Sequence, residues 1–409
     1  MKRWMMIGAC ALSLAATAKN RIISPQVKSL QTVVNSDWRN APIMTLGTDD
    51  VLSIGFDELS HTYHRYIYRL EHCEPDWTPS EGLFESDWLE GMNDNVIEDY
   101  QNSLNTTVLY THYQLQIPNE HCRLKMSGNY RLTVIDEDAG DEEAVLVAEF
   151  RVVEPLMNIG ITATTNTDID VNRSHQQIGM TVSYGNLRVT NWEEQVKTVV
   201  MQNWREEDAR WDVRPNYVNQ QGLGWEHNRA LIFEAGNEYR KFEVLDVSHP
   251  TMGIDRISWD GERYHAYPFV STPRRNYLTD VDADGAFIIR NSDNTEIDYT
   301  CDYVWVHYQL LSPYVGDIYI EGHWTTDANP EAYKMTYDEE SSTYQTTLMQ
   351  KQGYYSYQYL LAGSDGRKRT APTEGNFYQT ENSYQALVYY RGMGDRTWRL
   401  VGYRGAVLR

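Results

Sequence analysis

Apolar and polar residues alternate with a period of two along most of this chain, in short runs broken by turn formers. Leu52, Ile54 and Phe56 alternate with Ser53 and Gly55, and Tyr66, Tyr68 and Leu70 with Ile67 and Arg69. Tyr113, Leu115 and Ile117 follow the same rule up to Pro118, as do Tyr130, Leu132 and Val134. A period of two puts every second side chain on one face of a strand, whereas a helix needs a period of 3.6. An acidic turn at 136–143 leads into a nearly continuous apolar strand at 144–153, and Pro155 closes the block. Strands of this kind, separated by turn signals roughly every dozen positions, predict antiparallel sandwiches. The expected fold is all-β, a series of tandem antiparallel β-sandwich domains of the immunoglobulin or fibronectin kind.

The alternation divides the chain into three blocks after a leader at 1–18: an N-terminal sandwich at 19–155 with one long loop, a middle β domain at 156–300, and a C-terminal sandwich at 301–409. The middle block carries strand signals at 179–184, 196–202, 229–234 and 241–247. Its segment 192–211 has a partly helical spacing, but Val196, Thr198, Val199 and Val200 are β-branched and favour a strand. The third block alternates at 304–308, 318–320, 344–348 and 355–359, with a late strand at 385–390. No fixed-period repeat is present.

Lys2 and Arg3 precede an apolar stretch from Trp4 to Ala16, followed by Thr17 and Ala18. This is the layout of a secretory signal peptide cleaved after Ala18, with lipidation at Cys10 as the competing reading. No later segment is long and apolar enough for a membrane-spanning helix. The chain holds 58 acidic and 36 basic residues, a net charge of −22, which repels nucleic acid and anionic lipid. Cys73, Cys122 and Cys301 remain after the signal. Export permits a Cys73–Cys122 disulfide, and three buried thiols are the other reading.

Motifs for catalysis are missing: there is no G-x-S-x-G elbow, no H-E-x-x-H and no P-loop. Asp280, Asp282, Asp284 and Gly285 have the spacing of a calcium loop, but Asn291 stands where a bidentate glutamate is needed, so a tight acidic turn is expected. The histidines lack metal-ligand spacing, and His72 and His112 are expected to orient backbone or carboxylates. Trp324 and the tyrosines around Tyr357 could stack on sugar rings or simply cover a sheet face. No cofactor and no metal is expected.

More specific is a series in the first block: His72-Cys73-Glu74-Pro75-Asp76-Trp77-Thr78-Pro79-Ser80, then Leu89 to Tyr100, Ser103 to Thr106, Tyr110 to Tyr113, and Leu124 to Tyr130. It continues through Gln202-Asn203-Trp204-Arg205, Asp282 to Gly285, Asp302 to Val306, Val388 to Arg391 and Arg399 to Tyr403. In order and spacing this series resembles the plug protein family of the type IX secretion system of Bacteroidetes. The resemblance implies a non-enzymatic periplasmic protein, peripheral to the outer membrane. It would associate with a large outer-membrane translocon barrel and close the periplasmic mouth, without a small-molecule substrate. The motif residues Cys73, Asp76, Trp77, Gly91, Asn93, Asn95, Asp99, Tyr100, Asn105, Tyr110, His112 and Tyr113 are then the candidate site. The loop from Cys73 to Asp99 is too long for a passive turn, so its acids Glu81, Glu85 and Asp87 are expected to meet the partner. Within it Gly91 supplies positive φ, Asn93 and Asn95 bond to backbone, and Trp77 packs beneath. A periplasmic glycan-binding protein using Trp324 and Tyr357 is the rival reading, and a sandwich hydrolase with converging carboxylates is a third.

Overall fold

The period-two runs form strands where the alternation puts them. In the computed structural model, which describes residues 20–139 and 143–408, strands occupy Leu52–Glu58, Tyr66–Cys73, Thr111–Ile117, Gly128–Asp136 and Glu143–Val153. The expected signal peptide lies outside the described residues. In the first lobe, one sheet is built on Glu143–Val153, Gly128–Asp136 and Tyr66–Cys73; the facing sheet runs Val27–Val34, Leu52–Glu58, Thr111–Ile117, Asp99–Asn102. Leu30, Ile54 and Tyr113 from one sheet meet Tyr68, Leu132 and Phe150 from the other in a single apolar core. That interdigitation of two inner faces is the sandwich arrangement the alternation demanded.

The third lobe repeats this plan. Tyr303–Leu310 and Thr343–Lys351 lead one sheet, Gly353–Ala362 the other. Phe242, Tyr308, Tyr355 and Tyr357 fill the space between. In the middle lobe, His175–Ser183 and its neighbours face a sheet ordered Arg210–Trp211, Val196–Gln202, Asn382–Tyr390, Arg399–Leu408. The strand reading of 196–202 holds, preceded by one helical turn at Trp192–Gln195 where the Asn191 side chain accepts from the Glu193 amide at 3.2 Å.

The sheets do not follow the three expected chain blocks. The C-terminal hairpin 382–408, assigned by sequence to the third block, pairs with Val196–Gln202 from Val196↔Tyr390 to Gln202↔Tyr384. Conversely Arg240–Val244, from the middle block, pairs with Gly353–Ala362 in the third lobe. Alternation reports which face of a strand is buried and says nothing about which distant strand lies beside it. The outer face of the hairpin's sheet also seats the first lobe, through Val153, Val199, Met201, Leu387, Tyr389 and Leu400. No helix among the described residues is long and apolar enough to cross a membrane.

Candidate interaction surface and inter-lobe junctions

The long loop is ordered by its own backbone. The Trp77 amide donates to Glu74 O at 2.9 Å, and the Asp76 carboxylate accepts from the Thr78 amide at 3.1 Å and its hydroxyl at 2.6 Å. After a helical turn at Glu85–Trp88, the strand Leu89–Gly91 pairs with Cys122–Leu124. Gly91 has φ +107°, and a Cβ there would stand 1.9 Å from His121 O, so both the conformation and the space require glycine. Asn93 acts as a missing strand partner for Leu70: its Oδ1 accepts from the Leu70 amide at 2.8 Å and its Nδ2 donates to Leu70 O at 2.8 Å. Asn95 Nδ2 donates to Met92 O at 2.7 Å. Asp99 and Tyr100 begin an exposed edge strand paired to Thr111–Ile117.

This scaffold leaves Phe84 at 74% and Met92 at 67% exposure, large apolar side chains held outward by an ordered loop. Of the acids expected to face a partner, Glu81 is exposed. Glu85 accepts from Asn93 Nδ2 at 3.2 Å, and Asp87 pairs with Arg396 of the C-terminal hairpin at 2.6 Å. Asp87 therefore buttresses the loop against the middle lobe.

Several of the other motif residues serve joints between lobes. His112 Nδ1 lies 2.7 Å from Asp57 Oδ1, as expected of a histidine orienting a carboxylate. Asp57 Oδ2 accepts from Lys351 Nζ at 2.6 Å and from the Tyr303 hydroxyl at 2.6 Å, so one buried carboxylate ties the first lobe to the third. Tyr110 donates to Cys301 O at 2.7 Å, and its ring lies 4.1 Å from Lys351 Nζ. Exposed Asn105, at φ 58°, turns the segment whose Thr107 and Val108 amides donate to the Asp302 carboxylate at 2.8 and 3.1 Å. Tyr113 is core, stacked on Phe56 at 5.3 Å. Cys73, Cys122 and Cys301 are all free, buried thiols, and burial pushes Cys73 up to about 12. Trp77 does not pack beneath the loop alone: it lies under the Arg151 guanidinium, 5.0 Å from its ring centroid, where Arg151 pairs with Glu206 of the middle lobe.

Asp57, Lys351, Arg151 and Glu206 were not singled out from sequence. Asp57, Arg151 and Lys351 are charges in strands, which ordinarily mark a solvated face, and Glu206 sits in the charged run Arg205–Asp208, so nothing local marked them as buried. Trp324 and Tyr357 are core at 8% and 4% exposure, so of the two readings open for these aromatics the covered sheet face holds and the sugar platform does not. The acidic motif at 280–285 is a turn folded on itself: Asp282 accepts from the amides of Tyr239 and Asp284.

Two sets of carboxylates respond to pH in opposite directions. Burial raises the Asp57 carboxyl, but the Lys351 ammonium and then His112 outweigh it and hold it below the ordinary carboxylate value. That stability is present above about pH 4 and is lost as pH falls through the folded value. Asp282 is pushed up to about 7, first by burial and then by the charge of Asp284. Asp284 is pushed up to about 6 by burial, a bond from Ser383 partly opposing it, with Glu238 and Glu381 adding repulsion. Raised carboxyls hold a proton in the fold, so they favour folding as pH falls from about 7 toward 4. We expect the unfolding free energy to rise by roughly 1–2 kcal/mol from pH 7.5 to 5 and to drop below pH 4. Asp282→Asn should flatten the upper limb, and urea titrations across pH check both; an unaltered upper limb in the variant would show that Asp282 does not cause it.

These features define the class: an all-β protein of three interlocked sandwiches whose distinctive residues build lobe junctions and one projecting loop. Residues 27–154, the first lobe with its loop, match the model of the type 9 secretion system plug protein 1st domain. The chain belongs to the type IX secretion system plug protein family. A crystal structure of a hypothetical protein from Parabacteroides merdae is similar over 96% of this chain and 100% of that one, at 36% identity and a TM-score of 0.92. The C-terminal domain of the Streptococcus agalactiae AgI/II polypeptide BspA reaches a TM-score of only 0.15 at 6% identity, covering 95% of this chain and 98% of that one, and carries no argument. Comparison with the curated proteins gives no match.

Proposed function

We propose that this chain is an exported, non-enzymatic gating subunit that closes the periplasmic side of a large outer-membrane translocation barrel, with the loop 73–100 as its contact. The observation that carries the reading is the pair Phe84 and Met92, 74% and 67% exposed on a loop whose backbone is fixed by Gly91 and Asn93, inside the segment that matches the family. Aromatic and methionine side chains are enriched at protein interfaces, and a rigid frame spares the backbone share of the ordering cost when they are covered. Acting by occlusion, the subunit needs a reversible interface and no reacting groups. The fold's negative charge suits a partner mouth with basic character.

The test is co-purification of the tagged protein from detergent-solubilised envelopes. The unaltered chain is expected to recover one very large outer-membrane barrel at near-equal amounts. Phe84→Asp with Met92→Asp should reduce that recovery at least about tenfold, with an unchanged thermal midpoint because neither side chain supports the core. Recovery without any barrel would sink the gating reading, and undiminished recovery by the double variant would move the contact off this loop.

A further inference from the structure

Where the three lobes meet, a cavity of about 160 Å³ is walled by Trp38, Trp77 and Trp204, with Arg151, Glu206 and Glu321 among its polar lining. That is about ten times the ~10–15 Å³ one water needs. Two of the indoles are carried on unusual backbone: Trp77 has φ 66° and Trp204 φ 59°. Bulky residues rarely occupy the left-handed region, and such outliers gather where a site needs a particular side-chain direction. Trp77 is 2% exposed and Arg151 6%, yet Trp77 Nε1 and Arg151 Nε have no hydrogen-bond partner among the described residues. Buried donors in native proteins are nearly always satisfied.

We infer that this junction is a binding site for a neutral saccharide of about one ring. Three of the wall carboxylates are held in ion pairs, Glu206 with Arg151, Glu321 with Arg205 at 3.5 Å and Glu149 with Arg131 at 3.1 Å, and both wall guanidiniums are engaged, so an anion would gain no counter-ion. What an occupant can engage is the lone pairs that the Glu206 and Glu321 carboxylates keep beyond their ion pairs, since Trp77 Nε1 and Arg151 Nε are themselves enclosed. The several hydroxyls of one sugar ring can donate to both carboxylates at once, whereas a peptide unit brings a single N–H. The indoles give the apolar surface that the C–H face of a sugar ring covers, and sites of this kind favour inter-domain clefts. The inference uses none of the loop residues and is independent of the gating reading.

The experiment uses the whole mature protein with glucose, galactose, mannose, N-acetylglucosamine and their dimers, followed by saturation-transfer NMR and tryptophan emission. Trialanine serves as the peptide comparison. At least one sugar should give a saturable response. Trp38→Ala, whose ring meets Tyr354 at 5.7 Å, should weaken it roughly tenfold without shifting the thermal midpoint, and Trp77→Phe, which takes the fused ring out of a buried wall, should weaken it at some cost in stability. Trp38 is half-buried, so that variant remains informative if Trp77→Phe fails to fold. No saturable response to any sugar, a response undiminished in both variants, or a response to trialanine alone would overturn the assignment.

Discussion

Lys351→Met is expected to destabilise the protein by about 3–5 kcal/mol, because it leaves the Asp57 carboxylate charged and buried with its main counter-ion gone. Asp57 is fully buried and Lys351 is 2% exposed, with Nζ 2.6 Å from Oδ2. His112 alone cannot replace the ammonium, since it faces the other carboxylate oxygen. The double variant Asp57→Asn, Lys351→Met should recover much of the loss, because the cost lies in the unpaired charge and the methionine restores most of the volume. Urea unfolding followed by tryptophan emission measures both. A single-variant loss below about 1 kcal/mol would mean that water reaches the carboxylate and the junction is not sealed. The same variant should also change the acid limb of the pH profile, since the depressed Asp57 value depends first on Lys351 among its attractive partners.

The second large effect is local. Gly91→Ala would drive a Cβ to 1.9 Å from His121 O and 2.9 Å from its carbon, both backbone atoms that no rotamer can move. Relief requires parting Leu89–Gly91 from Cys122–Leu124, at a cost of about 2–4 kcal/mol. Hydrogen exchange should then accelerate at residues 89–98, where the Met92 amide donates to His121 O, and at Lys125, whose amide donates to Trp88 O, while the sandwich strands stay protected. If the loop is the partner contact, barrel recovery should fall alongside, although Phe84 and Met92 are untouched. Native exchange at Met92 and Lys125 in this variant would show that the pairing does not order the loop.

Strands with strict alternation were legible to within a few residues, because one buried face leaves a period-two trace. Arg399–Leu408 was not: Gly402 and Gly405 interrupt the pattern, and its partner Asn382–Tyr390 was read only as a late strand of the third block. The site divided in the same way. Gly91 and Asn93 were readable because their chemistry is local, a positive φ and an amide that imitates a strand. Tyr110 and His112 stood out as motif residues, but their roles depend on Lys351 and Cys301, far along the chain, and no local spacing encodes such pairings. Trp324 and Tyr357 were ambiguous for a related reason: alternating aromatics look the same whether the face they line meets solvent or a second sheet.

The return of residues 382–408 to the middle lobe sets the order in which this protein can be made. Val196–Gln202 emerges from the ribosome roughly 180 residues before its partner strand, and until Asn382–Tyr390 arrives one edge of it has no neighbour. An open edge is a template for mispairing, and contacts this distant in sequence form slowly. The middle lobe therefore cannot mature during synthesis as the first one can. A chain stopped short of the last hairpin would lose its C-terminal strands and, with Tyr389, Trp398 and Leu400, the surface on which the first lobe rests.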